Sequence, residues 1–308
     1  MIAAWNRFFH QPADARIPAM IRIGLASLVL INLTAHYPNL EKWFGESGVL
    51  PQGLPHLPEG SWQWTLLDGV PQTPLALQVC FWIFVLQTVC LLLGLASRCS
   101  AVAVFIWIVS FQHRNQLILD GEDKVMRLIA FFLIFMPLAE IWSVDAWLLR
   151  RGKSQAEPYQ SQASPWAQRM LQYFMVLVMF ATGLWKFAGE SWRDGTALYY
   201  VARIDDLFGR FWVPHYFFDT RWTVRAMTWS VLYVELVIPF LIWIPRARRF
   251  SLLVLLAFHL SNEWAMHLFL FHWVMLCGWL SFLKREDLDA VARVWRKLTG
   301  RSVPVRLS

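Results

Sequence analysis

Lys186 closes a long apolar stretch that ends Ala181-Thr182-Gly183-Leu184-Trp185-Lys186-Phe187. Two roles are open to it. It can snorkel, laying its stem along apolar surface while the ammonium reaches the interface. It can instead sit in an apolar pocket, where desolvation favours the neutral amine and makes it a base. Glu190, Trp192 and Asp194 follow closely, and a turn after the helix would bring them near Lys186, beside Trp185. Glu235 lies inside a separate apolar stretch, four residues before Pro239. A carboxylate there is costly unless it is paired, protonated or facing a cavity. It therefore reads as a pocket residue or as the partner of an Arg or His, on a helix that Pro239 bends.

A third group is His259, Asn262 and Glu263, which could line the same pocket or hydrogen-bond between helices. With His267, the pair His259 and Glu263 falls at i, i+4 and i+8, one face of an unbroken helix and a weak alternative as metal ligands. The polar run Ser261-Asn262-Glu263 instead predicts a tight turn that breaks that face. Asp120, Glu122 and Asp123, beside His113, Arg114 and Lys124, lack calcium-loop spacing and read as a solvated turn.

The elements that must carry these groups follow from composition. Of 308 residues, 57% are hydrophobic and 16% charged, against about 45–50% and about 25% in soluble domains. Too few charges remain to cover a water-facing surface, which excludes a soluble enzyme, a disordered tail and a coiled coil. The 19 Trp and 23 Phe suit a lipid boundary. The net charge of +7 is spread along the chain, so the partner expected is the bilayer and no nucleic acid. Cys80, Cys90, Cys99 and Cys277 form no ligand pattern and read as free thiols.

The fold class expected is all-α, a polytopic integral membrane helix bundle. Apolar stretches at 17–35, 75–96, 101–111, 128–149, 170–187, 227–244 and 250–283 suggest about eight transmembrane helices, the last stretch holding two. Residues 1–283 form the transmembrane domain, opening with an interfacial helix at 1–16; residues 284–308 form a basic tail. With both termini cytoplasmic, 18 of the 28 Lys and Arg face inward, as the positive-inside rule asks. Two long outer loops, 37–74 and 188–224, remain. Their Trp43, Phe44, Trp62, Trp64, Trp192 and Trp212 are expected at the interface, so chemistry should face outward.

The run Trp185-Lys186-Phe187 with Trp192 and Gly195 resembles a stretch of the vitamin K-dependent gamma-carboxylase family and of its bacterial relatives, the HTTM (horizontally transferred transmembrane) domain. The likeness extends to Gly45-Glu46-Ser47-Gly48-Val49-Leu50-Pro51 and to 128–136 with Trp142-Ser143-Val144-Asp145. It extends also to Phe258-His259-Leu260-Ser261-Asn262 with Phe271-His272-Trp273-Val274-Met275. The resemblance implies a lysine base at Lys186 that deprotonates a reduced quinone. In that family the quinone then reacts with oxygen to give a base that abstracts a glutamate proton, and carbon dioxide captures the carbanion. Two departures count against glutamate carboxylation itself. Asp120-Gly121-Glu122-Asp123-Lys124 stands where carboxylases carry an Asn-His pair, and only about 25 residues follow Leu283.

The function expected is an inner-membrane, quinol-linked enzyme with a lysine base, modifying a peptide or lipid-like substrate on the outer face. The alternative is a non-catalytic maturation or assembly factor that binds a small peptide or a partner protein. A transporter should show inverted repeats or paired broken helices, and neither is visible.

Overall fold

Pro74, in the first turn, and Gly94, left-handed at φ +69°, bracket an apolar run and make it a helix of 20 residues. Proline is preorganised for a first turn and glycine for the residue past a last one. The same logic, apolar stretches bounded by caps, builds the rest of the chain. A computed structural model describes residues 2–10, 14–51, 64–151, 164–214 and 216–300. Among these the architecture is all-helical; one isolated antiparallel bridge joins Phe208 to Met266.

The chain divides into two compact units, residues 1–169 with 283–308, and residues 170–282. The first holds α1 (Ile2–His10), α2 (Arg16–His36), α3 (Leu40–Phe44), α4 (Pro74–Leu93), α5 (Ser97–Arg114), α6 (Gly121–Leu133) and α7 (Val144–Arg150). In this unit α2 packs on α4 and α6, and α5 fills the space beside both of those. Arg22 is fully buried and donates to the carbonyls of Leu91 (2.7 Å), Leu92 (2.8 Å) and Trp142 (2.6 Å). Those of Leu91 and Leu92 are end-of-helix carbonyls beyond the regular α4 ladder; Leu91 O also accepts from Gly94 N–H (3.1 Å). A Cβ at Gly94 would lie 2.6 Å from Arg22 Nη1, so glycine is required there by φ and by space. Arg114 likewise donates to the carbonyls of Gly45 (2.7 Å) and Leu50 (2.9 Å), fixing the 45–51 loop.

The helix α8 (Trp166–Ala188) starts in the first unit and runs through the second. There it is followed by α9 (Glu190–Arg193), α10 (Ala197–Val201), α11 (Tyr216–Asp219), α12 (Arg221–Leu236), α13 (Ile238–Leu241), α14 (Arg248–Ala265) and α15 (Phe271–Trp279). The last element among the described residues is α16 (Arg285–Thr299), whose Asp289 meets Arg16 of α2 at 3.0 Å within the first unit.

Among the described residues four helical stretches are long and apolar enough to cross a membrane: Arg16–Phe44, Pro74–Leu93, Trp166–Ala188 and Arg221–Leu241. A shorter apolar one spans Phe271–Phe282. Their outward faces carry bare Leu75, Leu86 and Leu177, side chains suited to lipid. Two expectations are corrected. The stretch at 128–149 is not one helix: α6 stops at Leu133 and α7 begins at Val144. Pro137 lacks an N–H to continue the ladder and Trp142 adopts φ +50°. The turn expected at Ser261-Asn262-Glu263 falls instead after Ala265, so α14 is continuous through all three. The second long loop is also built rather than loose, holding α9, α10 and α11; Trp62 lies outside the described residues. The aspartates read as a solvated turn cap α6, Asp120 and Asp123 forming a capping box.

Candidate functional site

Gly183 sits one turn before Lys186 on α8. A Cβ there would lie 3.1 Å from Glu235 Cβ and 2.8 Å from Leu236 Cδ2 of α12. Glycine therefore lets the two helices close up, and the next turn of α8 brings Lys186 to Glu235. Lys186 Nζ donates to Glu235 Oε1. Glu235 is 4% exposed, and its Oε2 is buried with no partner among the described residues. The Lys186 side chain keeps 30% of its exposure, and its ammonium lies 5.3 Å from the Trp192 ring centre, a cation–π contact. On the far side of Glu235, α12 ends and Val237 leads into α13. Pro239 has no N–H for the Glu235 carbonyl, which explains the break.

A second ion pair stands on α14. Residues 207–211 run beside its C-terminal end: Gly209 N–H donates to Ala265 O (2.8 Å), Phe211 N–H to Trp264 O (3.2 Å), and His267 N–H to Leu207 O (2.8 Å). This places Arg210 Nη1 on Glu263 Oε1. Glu263 Oε2 is buried without a partner among the described residues, like Glu235 Oε2. One turn back, His259 is buried and touches His272 of α15, Nδ1 to Nδ1 at 3.2 Å. Trp279 donates its indole N–H to His259 Nε2 at 3.2 Å. The ion pairs Lys186–Glu235 and Arg210–Glu263 and the His259–His272 contact all stand inside the second unit, with Lys186 and Arg210 within electrostatic reach of His272.

Other sequence candidates fall outside these groups. Trp185 is 82% exposed and points away. Glu190 is exposed. Asp194 is exposed and accepts from Thr196 N (2.8 Å) and Oγ1 (2.6 Å), bonds that hold its carboxyl below the usual carboxylate range. Its role is to shape the turn at Gly195. Asn262 is half-buried, and its carbonyl accepts from Met266 N–H at the helix end. His267 is exposed past the end of α14, so His259, Glu263 and His267 do not converge; no metal-ligating group of three was found among the described residues. Sequence reasoning missed Arg210, counted only as an outer charge, and His272 and Trp279. His272 had one signal, its place in the Phe271-His272-Trp273 run.

The family profile of the HTTM domain matches residues 11–286. The chain belongs to the HTTM family. No solved structure matches it. The match covers the residues of this site and the four membrane-length helices found among the described residues of this HTTM protein.

Proposed function

We propose that this HTTM protein is a multi-pass enzyme of the inner membrane. In this reading the chain crosses about eight times with both termini cytoplasmic, and the Lys186–Glu235 pair accepts a proton from a hydroxylated ligand. The product of that step modifies a peptide or lipid-like substrate on the outer face. The observation that supports it best is the buried, unpartnered Oε2 of Glu235 beside an oxygen held by Lys186. A snorkelling lysine needs no carboxylate from another helix, and a buried carboxylate kept only for packing has no reason to leave an oxygen bare.

The pair holds one proton between two basic atoms. A second proton, leaving a ligand hydroxyl, ends on Nζ after Nζ has passed its own proton to Oε1. The pair then gains one positive charge, and the ligand oxygen left behind carries one negative charge beside it. The water-poor surroundings strengthen that attraction.

The resemblance to the gamma-carboxylases implies a reduced quinone, and the residues present fit one. Glu235 Oε2 offers an acceptor for its hydroxyl, and Trp192 and Leu236 offer aromatic and apolar surface. Such a group, once bound, supplies reactivity toward oxygen; the chain supplies the proton acceptor, the compensating charge and the exclusion of water.

The test is oxygen uptake by the purified protein with the reduced naphthoquinone menadiol. Uptake above the uncatalysed rate is expected for the native chain, and none above it for Lys186→Ala. Equal uptake by the two would leave the assembly-factor reading. Topology is tested separately: reporters fused after Arg151 and after Gly195 should lie on opposite sides, and finding both on one side would sink the eight-helix arrangement.

A further inference from the structure

The buried contact between His259 and His272 fixes its own protons. Trp279 Nε1 can only donate, so His259 Nε2, 3.2 Å away, must be the bare acceptor nitrogen. His259 then carries its proton on Nδ1 and donates it to His272 Nδ1, also at 3.2 Å. That leaves His272 as the Nε2–H tautomer, neutral, with its remaining proton directed outward from the relay. His272 is 3% exposed, and this Nε2 is buried with no partner among the described residues. An unused donor buried this deeply costs free energy, and three fixed rings aim it.

The charge around it states what it meets. Lys186 is balanced by Glu235 and Arg210 by Glu263, and both histidines are neutral in this relay, so these groups have no spare positive charge for an anion. Buried and without any partner among the described residues are one donor, His272 Nε2–H, and two acceptors, Oε2 of Glu235 and Oε2 of Glu263. A neutral hydroxyl group accepts one hydrogen bond and donates another, and so matches that set.

We propose that His272 is the residue that holds a neutral, hydroxylated ligand among these groups, its Nε2–H donating to the ligand oxygen while the ligand O–H points to a free glutamate oxygen. Trp279 and His259 are positioning residues that keep His272 in the donating tautomer. The inference rests on the Lys186–Glu235 reading for where the ligand sits, but its test reads the relay directly.

With histidine labelled by nitrogen-15 in the purified protein, long-range proton–nitrogen spectra report each ring's tautomer. His259 is expected as Nδ1–H and His272 as Nε2–H, the His272 Nε2–H resonance moving on anaerobic addition of menadiol. Trp279→Phe should release the lock and give mixed tautomers. His272→Phe should weaken menadiol binding about tenfold, the worth of one such hydrogen bond. It should weaken binding of the dione menadione as well, because a carbonyl oxygen accepts the same bond, and His272→Gln, which keeps an N–H at a similar reach, should restore part of the loss. Finding His272 as Nδ1–H, or a menadiol affinity unmoved by His272→Phe, would overturn the proposal. Neither result touches the oxygen uptake of Lys186→Ala, so the two ideas fail separately.

Discussion

Arg22 in the first unit and Lys186 in the second are both cations set into apolar helices, and they are satisfied in opposite ways. Arg22 gives its protons to three backbone carbonyls, and what it leaves unpartnered is a donor, Nε. A carbonyl takes no proton at any ordinary pH, so Arg22 is a fixture that ties α2 to the end of α4. Lys186 gives its proton to a carboxylate, and what that pair leaves unpartnered is an acceptor, Glu235 Oε2. Arg114 repeats the first arrangement, on the carbonyls of Gly45 and Leu50, while Arg210 sits on Glu263 but, as a guanidinium, keeps its proton. A cation on backbone oxygens builds; an amine on a carboxylate with a spare lone pair can exchange protons.

The contrast is broken most easily by removing each cation. Lys186→Ala should cut oxygen uptake by about 10²–10⁴-fold, the usual worth of a positioned acid–base group. It should cost only about 1–3 kcal/mol of stability, because the Lys186 side chain is only part-buried and the loss is that of one partner for Glu235. The double variant Lys186→Ala/Glu235→Gln should recover part of that stability and none of the uptake. Arg22→Met should do the reverse. Thermal unfolding in detergent should show a loss of about 3–5 kcal/mol, since the charge-assisted bonds to the carbonyls of Leu91, Leu92 and Trp142 all go, while uptake per folded molecule holds. If Arg22→Met kept its stability, the structural half of the comparison would fail.

Smaller changes sharpen it. Gly183→Ala adds a methyl 3.1 Å from Glu235 Cβ and should cost about 1–3 kcal/mol by overpacking, with uptake falling as Lys186 and Glu235 are pushed apart. Asp194→Ala, at an exposed turn, should change stability by under about 0.5 kcal/mol and leave uptake near the native rate. A large loss of uptake there would return Asp194 to the site.

The sequence made some of this legible. The 20-residue run with Pro74 and Gly94 at its limits specifies α4 locally, and Lys186 and Glu235 stand out by type alone, as charges in apolar stretches. Their pairing is invisible locally because they are 49 residues apart and meet only because Gly183 permits the approach. The polar run Ser261-Asn262-Glu263 looks like a turn, yet Glu263 is held in the helix by Arg210, a residue that reaches it from the 207–211 segment. At 128–149 the apolar composition hides Pro137 and the positive φ of Trp142. His272 is legible only through geometry, because a donor-only indole two contacts away sets its tautomer.

The most direct test of the central claim is oxygen uptake by Lys186→Arg. Arginine keeps the positive charge and can keep the bond to Glu235, but a guanidinium holds its proton and fills the space differently. Uptake at the uncatalysed rate, with the variant folded and in the membrane, is the expected result, because the pair no longer shares a mobile proton. Uptake at the native rate would show that only a positive charge is needed at this position, and Lys186 would then be a fixture of the same kind as Arg22.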